Sequence, residues 1–380
     1  MKNYGIIGIG NAGNQIASLA NEKLQMDAIA INSSERDLDT ITNPNVIKKI
    51  IGDSKGAGKN RTEAKAFLKG SVIEMITSED FVEFMKEKEY VIVVSSTGGG
   101  TGSGTAPVFE EILKQSNPNV NFILIAVLPT LSEALSTQVN TLEYLKELYE
   151  ASSDTTYMLY DNEKASHLPS YEMMDTINAA IVEDLRVLTG EYNYPTKYAS
   201  IDEKDMSVIL TTSGRLMVAG VTKGLDEKTL DTKAIDDLVI DDFKKNYHAE
   251  YNRDKVIMRM GIISVLDEDV NKLFDGELQK VQDTIGTPVE TFNHIAINEH
   301  PEVNNRIYVI AAGMTRADDR MKKITERIDA INAAQEKIKK ANNALSGVDL
   351  DALNAKKQLK EKGEVGDKCD LTNIFSKFGF

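Results

Sequence analysis

Residues Val91 to Pro107 read VIVVSSTGGGTGSGTAP, an apolar run that breaks into five glycines within the seven residues Gly98 to Gly104. Such a run bounded by glycine predicts a buried strand feeding a loop. Each glycine loses more conformational entropy on ordering than any other residue, so a cluster after a strand implies close approach of the backbone to a ligand. Successive N–H groups in the turn form a nest for an anion, and a following helix adds the positive end of its dipole. That helix is predicted over Val108 to Gln115, with Pro107 in its first turn. Thr101, Ser103 and Thr105 add hydroxyls able to bond phosphate oxygens or the water shell of a magnesium ion. The alternative is a flexible surface turn.

A second glycine motif, Gly8-Ile9-Gly10-Asn11-Ala12-Gly13, follows a strand at Tyr4–Ile9 and opens a helix through Ala20. Taken literally it is the dinucleotide fingerprint of a nicotinamide-dependent oxidoreductase. That reading needs an acid ending the second strand to hold a ribose, but the strand Ala28–Ile31 ends in Asn32. It also has no use for a second, richer glycine loop. The segment Gly52 to Arg61, GDSKGAGKNR, superficially resembles a Walker A loop. Its spacing to Gly58-Lys59 is wrong, Asn60 stands where Ser or Thr must bind magnesium, and no strong strand is predicted immediately before it.

The elements that must position these loops follow the same periodic logic. Phe122–Leu128 and Tyr157–Tyr160 read as buried strands, and Met174, Ile177, Ile181, Leu185 and Leu188 give Tyr171–Leu188 a helical period. Strands at Val256–Val265, Asn293–Ile297 and Arg306–Met314, with charged helices such as Asp269 to Ile285 between them, form a second region without a glycine loop or paired acids, hence structural. Thr315–Leu345 reads as a long helix with Met321, Ile324, Ile328, Ile331 and Ile338 near heptad spacing, suited to lie along its own subunit or a neighbour's. Beyond Gly347 the chain turns polar and is predicted to be largely disordered. Its end, LTNIFSKFGF, places Leu371, Ile374, Phe375 and Phe378 at helical spacing, suited to a partner's groove.

GGGTGSG at 98–104 resembles the signature loop of the tubulin and FtsZ superfamily of filament-forming GTPases. Gly10-Asn11-Ala12-Gly13-Asn14-Gln15-Ile16 is similar to tubulin's first nucleotide loop, and Pro129 with Glu133 to the family's ribose loop. Ala134 and Thr137 replace the glycine and the downstream arginine that FtsZ carries there. Asp161-Asn162-Glu163 resembles tubulin's guanine-pocket segment, where an amide offers a purine both donor and acceptor. Met174 and Asn178, four apart on one face, are similar to the pair that stacks on and bonds guanine, with Met replacing the usual aromatic. Ser200-Ile201-Asp202-Glu203-Lys204-Asp205 resembles the two-acid loop, with Ser200 in place of Asn. On chemistry alone, Met174 reads equally as core, an Asn in a turn as turn chemistry, and an Asp opening a helix as an N-cap.

The resemblance implies a Rossmann-like α/β GTPase domain with a parallel sheet over 1–170, a central helix and loop over 171–197, and a smaller α/β activation domain over 198–314. A long C-terminal helix over 315–346 and a flexible partner-binding tail over 347–380 follow. It implies GTP and Mg2+ as cofactors. The nucleotide falls to Gly10, Asn11, Ala12, Gln15, Gly99, Gly100, Thr101, Gly102, Ser103, Glu133, Asn162 and Asn178, with Lys59 in a loop that reaches the terminal phosphate. Asp202 and Asp205 are then catalytic, acting on the nucleotide of the adjacent subunit. Some fifteen residues of central helix span roughly 20 Å and keep these acids from their own phosphates. The mixture of features is most similar to the TubZ branch, in which a head-to-tail polymer moves plasmid or phage DNA through a DNA-binding adaptor. An FtsZ-like division-ring protein is the alternative.

Composition sets further bounds. The 380 residues, 41% hydrophobic, suffice for two cored domains. A net charge of −15 argues against direct coating of nucleic acid. The single cysteine, Cys369, excludes an intramolecular disulfide, and the four scattered histidines lack metal-ligand spacing. No run reaches membrane-spanning length and no cleavable leader is evident, so a cytoplasmic protein is expected.

Overall fold

The computed structural model describes residues 3–151, 154–190, 196, 198–226, 230, 232–252, 256–274, 276–299 and 304–343. The first half alternates strand and helix: β1 Tyr4–Ile9, α1 Gly10–Leu24, β2 Asp27–Asn32, α2 Glu35–Asp39, β3 Val46–Ile50, α3 Arg61–Thr77, α4 Glu79–Met85, β4 Tyr90–Ser96, α5 Thr101–Ser116, β5 Asn121–Leu128, α6 Leu135–Ala151 and β6 Thr156–Asp161. The central helix α7, Ser170–Leu188, leads to α8 Glu203–Leu210, β7 Gly214–Val221, α9 Thr232–Lys245, β8 Val256–Leu266, α10 Glu268–Asn271, α11 Gln279–Ile285, β9 Thr287–Ile297, β10 Arg306–Met314 and α12 Asp318–Asn343.

Among the described residues ten strands lie in one sheet, ordered β3-β2-β1-β4-β5-β6-β7-β10-β8-β9. β1 to β6 are parallel, β7 joins β6 through only Thr156↔Gly214 and Tyr157↔Arg215, and β10 runs antiparallel to both β7 and β8. Alternate residues of each strand feed two layers, because successive side chains point to opposite faces. Ile92 and Val94 of β4 join the core under α1 and α7, while Val91 and Val93 join the core under α5, α6 and α12. A third core, including Met217, Ile262 and Val309, belongs to the second half. Strand order reverses between β1 and β4, which opens a crevice outside their carboxyl ends.

Several expectations change. α5 begins at Thr101, not Val108, so half the glycine run is its first turn and Pro107 lies inside the helix. Proline has no N–H for the Ser103 carbonyl four residues back; Arg61 Nη1 donates to that carbonyl instead. β3 directly precedes the Gly52 loop, where no strand was expected. The charged helix over 269–285 is two short helices, α10 and α11, separated by a segment containing Gly276 at φ +77°. α12 lies along its own subunit: Ile324 is buried and Met321 and Ile328 pack beside it, whereas Ile338 is 58% exposed. The tail, with Cys369 and its apolar end, lies outside the described residues.

Candidate functional site

At the carboxyl ends of β1, β2 and β4 lies a cavity of about 380 Å³, within the range of small-molecule sites. Its wall comprises Gly10–Ala12 of α1, Asn32, Ser34 and Asp37 after β2, the loop Lys55–Lys59, and Ser96 with Gly99–Gly102. The first turns of α1 and α5 both present N–H groups here, a natural anion site. At two of its glycines the backbone comes so close that a side chain has no room. Gly10 sits at φ +75°, and a Cβ on it would lie 2.9 Å from the Gly102 nitrogen; a Cβ on Gly102 would lie 2.8 Å from the Ile9 carbonyl oxygen.

Side chains from remote elements hold this cradle in shape. Asn140 of α6 donates Nδ2 to the carbonyls of Lys59 (3.0 Å), Gly98 (3.2 Å) and Gly99 (2.9 Å). The buried Arg61 bonds the Ser103 carbonyl and pairs with Glu147. Ser33 Oγ lies 2.6 Å from Thr101 Oγ1. Ser103 and Thr105 spend their hydroxyl protons on the carbonyls of Gly99 and Thr101, so of the three hydroxyls only that of Thr101 belongs to a residue of the cavity wall. Lys59 Nζ donates to Thr137 Oγ1 at 3.2 Å, which keeps its charge beside the glycine loop.

Of the residues singled out from sequence, Gly10, Asn11, Ala12, Gly99, Gly100, Thr101 and Gly102 line this one cavity. Gln15, Ser103, Glu133, Asn162 and Asn178 do not. Gln15 Nε2 bonds Thr40 Oγ1 (3.0 Å), and Glu133 Oε1 accepts from Thr130 N (3.1 Å), shaping its own loop. Asn162 opens a short 3-10 turn, Asn162–Ala165, capped by Asp161. Asn178 lies on α7, which packs against α1. Met174 is half exposed and therefore not a core residue, while Ile177 beside it is buried.

Asp202 and Asp205 form a capping box on α8. Asp202 Oδ1 accepts from Lys204 N (2.8 Å) and Asp205 N (2.9 Å), and Asp205 Oδ2 accepts from Asp202 N (3.2 Å). They sit at the other end of the sheet: Asp202 borders a second cavity of about 410 Å³ with Asn3 and Tyr4 at the start of β1 and Glu89 and Tyr90 at the start of β4. β1 alone puts about 20 Å between the two ends. Among the described residues no cluster of His, Cys, Asp and Glu is arranged to hold a metal, and no helix is long and apolar enough to cross a membrane.

The oxidoreductase alternative finds no support in this geometry. Asn32 is buried and its Oδ1 accepts from Ser33 N (2.8 Å) and Ser34 N (3.3 Å), so it serves the turn after β2. Residues missed from sequence, Ser33, Arg61 and Asn140, act across 68, 42 and 41 or more positions of chain. No local pattern marks them.

Residues 3–168 match the GTPase domain of the tubulin/FtsZ family. The chain is 26% identical over 228 residues to the tubulin-like protein CetZ of Pyrococcus abyssi, an alignment covering 59% of this chain and 62% of that protein, so the chain spans about three fifths of such relatives. Against the tubulin-like protein TubZ of Clostridium botulinum C phage it is 24% identical over 380 residues, covering 96% of both. The fold is similar to that in GDP-form protofilaments of Bacillus thuringiensis serovar israelensis TubZ, with a TM-score of 0.71, 15% identity, and 89% of this chain and 93% of that one covered. Glycine cradle, sheet order and these likenesses agree: residues 3–168 of the chain match the GTPase domain of the tubulin/FtsZ family.

Proposed function

We propose that the chain binds GTP, assembles head to tail, and hydrolyses the nucleotide where the α8 end of one copy meets the cavity of the next. The observation that carries this reading is that the glycine cradle and the acid pair occupy opposite ends of one sheet. Neither completes the other within a single copy. The N–H groups of the α1 and α5 termini hold phosphates, and Asn162, Asn178 and Glu133 serve the base and ribose. Asp37, which accepts from Asn32 Nδ2 at 3.4 Å, puts a carboxylate on the same wall as Lys55 and Lys59. Asp37 and the Thr101 hydroxyl, oxygen donors on this wall, would be the residues to hold Mg2+, which when bound neutralises phosphate charge. Asp202 and Asp205 each use one carboxylate oxygen in the capping box. The other oxygen of each orients water on the neighbour's nucleotide, since phosphoryl transfer depends chiefly on positioning and charge stabilisation.

The finer reading follows the TubZ branch. The filament moves plasmid or phage DNA through a separate DNA-binding adaptor held by the tail at 347–380, in a cytoplasmic setting. The charge of −15 supports an indirect link to DNA. Light scattering and electron microscopy of the purified chain with GTP, ATP or neither test the core of this reading. Filaments with GTP alone support it, and assembly indifferent to nucleotide contradicts it.

A further inference from the structure

α12 is fastened to the nucleotide end of the molecule by charged bonds as well as apolar packing. Arg320, 3% exposed, donates Nε to Asp161 Oδ2 (2.6 Å) and Nη2 to Asp161 Oδ1 (3.0 Å) and to the Pro129 carbonyl (2.6 Å). Two turns on, Arg327 Nε donates to the Leu131 carbonyl (3.0 Å). The two segments it holds are also joined to each other, since Leu131 N donates to Glu163 Oε2 (2.7 Å). Asp161 Oδ1 in turn accepts from Glu163 N (3.1 Å), closing the turn that carries Asn162.

These segments are the ones that follow β5 and β6, whose last residues pair as Leu128↔Asp161. A two-point guanidinium–carboxylate bond fixes direction as well as distance. Buried, it cannot be broken cheaply, because Asp161 would be left without its opposite charge. The far half of α12 carries no such bonds among the described residues, and Ile338 on it is exposed. The helix is thus anchored at the turn nearest the nucleotide end and bare at the other.

We propose that Arg320 is a positioning residue for the base and ribose of the nucleotide: α12, docked through it, holds 129–133 and 161–163 in their binding geometry. Guanine-nucleotide affinity and preference then depend on docking of the C-terminal helix. This rests on the GTP reading above. Arg320 reaches the site through Asp161 and Pro129 and touches no nucleotide itself. By linkage, a nucleotide that favours the docked helix must tighten its docking by the same factor.

The test uses the full chain. GTP, ATP and tripolyphosphate binding are measured by calorimetry for wild type, Arg320→Lys and Arg320→Ala, and amide hydrogen exchange of wild type is followed with and without GTP. Arg320→Ala is expected to lose about tenfold in GTP affinity and part of the preference over ATP, with tripolyphosphate unchanged and Lys intermediate. GTP should slow exchange in the first three turns of α12. If the alanine variant does not fold, the lysine variant and the exchange pattern decide. GTP affinity and preference within twofold of wild type in the folded variants, or protection of the glycine loops without protection of α12, overturns the proposal. A wild type that binds no GTP removes the nucleotide reading itself, and this proposal with it.

Discussion

The two ends of the sheet are built from different materials. At the carboxyl ends of β1 and β4 the glycine loops come so close that a single Cβ on Gly10 or Gly102 collides with main chain. At the opposite end the proposed chemistry rests on two side chains that already cap a helix. A cradle of fixed N–H groups is preorganised and costs no reorganisation when an anion arrives. A capping pair is dual-purpose, so its structural and chemical roles have to be separated before either can be assigned. On the proposed reading, a site divided in this way is complete only when two copies meet.

The sharpest way to break the comparison is to remove charge from the acid end while keeping the cap. Asparagine caps helices as well as aspartate does, so Asp202→Asn should leave thermal stability unchanged. Steady-state GTP turnover should fall about a thousandfold while GTP binding persists. Full turnover in this variant would leave the acids as a cap and nothing more.

Next in size is the cradle. Gly102→Ala forces a methyl against the Ile9 carbonyl and Ser95. GTP affinity, read by fluorescence of a labelled nucleotide, should drop about a hundredfold, as expected when binding groups move by about 1 Å. The α8 end should be untouched, so the variant should still cap wild-type filaments.

Asn140→Ala tests whether the cradle is held from outside. It removes the shared donor of three carbonyls, costing about 2 kcal/mol of stability in a denaturant melt and weakening GTP about tenfold.

The smallest functional effect belongs to Glu110, which lines neither cavity. Burial pushes its carboxyl up to about 7 from the ordinary 4.5, against the opposing pull of Lys114 at 2.9 Å. Between those two pH values the folded chain keeps a proton that the unfolded chain has released, so stability falls as pH rises through that window. The loss, about 3 kcal/mol, is complete above pH 7. Glu110→Gln should flatten this slope and melt higher than wild type at pH 8, with GTP turnover unchanged.

The cradle was legible in the sequence because clustered glycine has few physical reasons to exist. Tyr4–Ile9 and Arg306–Met314 were equally plain, being short runs with buried, mostly apolar residues. β3 was not, since VIKKI is an edge strand with a partly exposed face and two lysines breaking the apolar pattern. β7 was hidden by Arg215, a fully buried arginine whose Nη1 and Nη2 donate to the Glu250 and Ala249 carbonyls, 35 and 34 residues away. The start of α5 was misplaced because Pro107 signals a first turn, and only Arg61, brought in by tertiary packing, relieves the carbonyl it orphans. For Asp202 and Asp205 the N-cap expectation and the family expectation pointed at the same residues, and the capping box realises the first without consuming both oxygens of either acid.

The central claim, that each copy's nucleotide is hydrolysed with the next copy's acids, is tested most directly by GTP turnover per subunit as a function of protein concentration, with Asp202→Asn titrated into wild type. Turnover should be near zero below the concentration at which filaments form and rise steeply above it. In mixed filaments it should fall in proportion to the share of joints that carry the variant's acid end. Turnover per subunit that stays constant through dilution below the assembly threshold would contradict the claim.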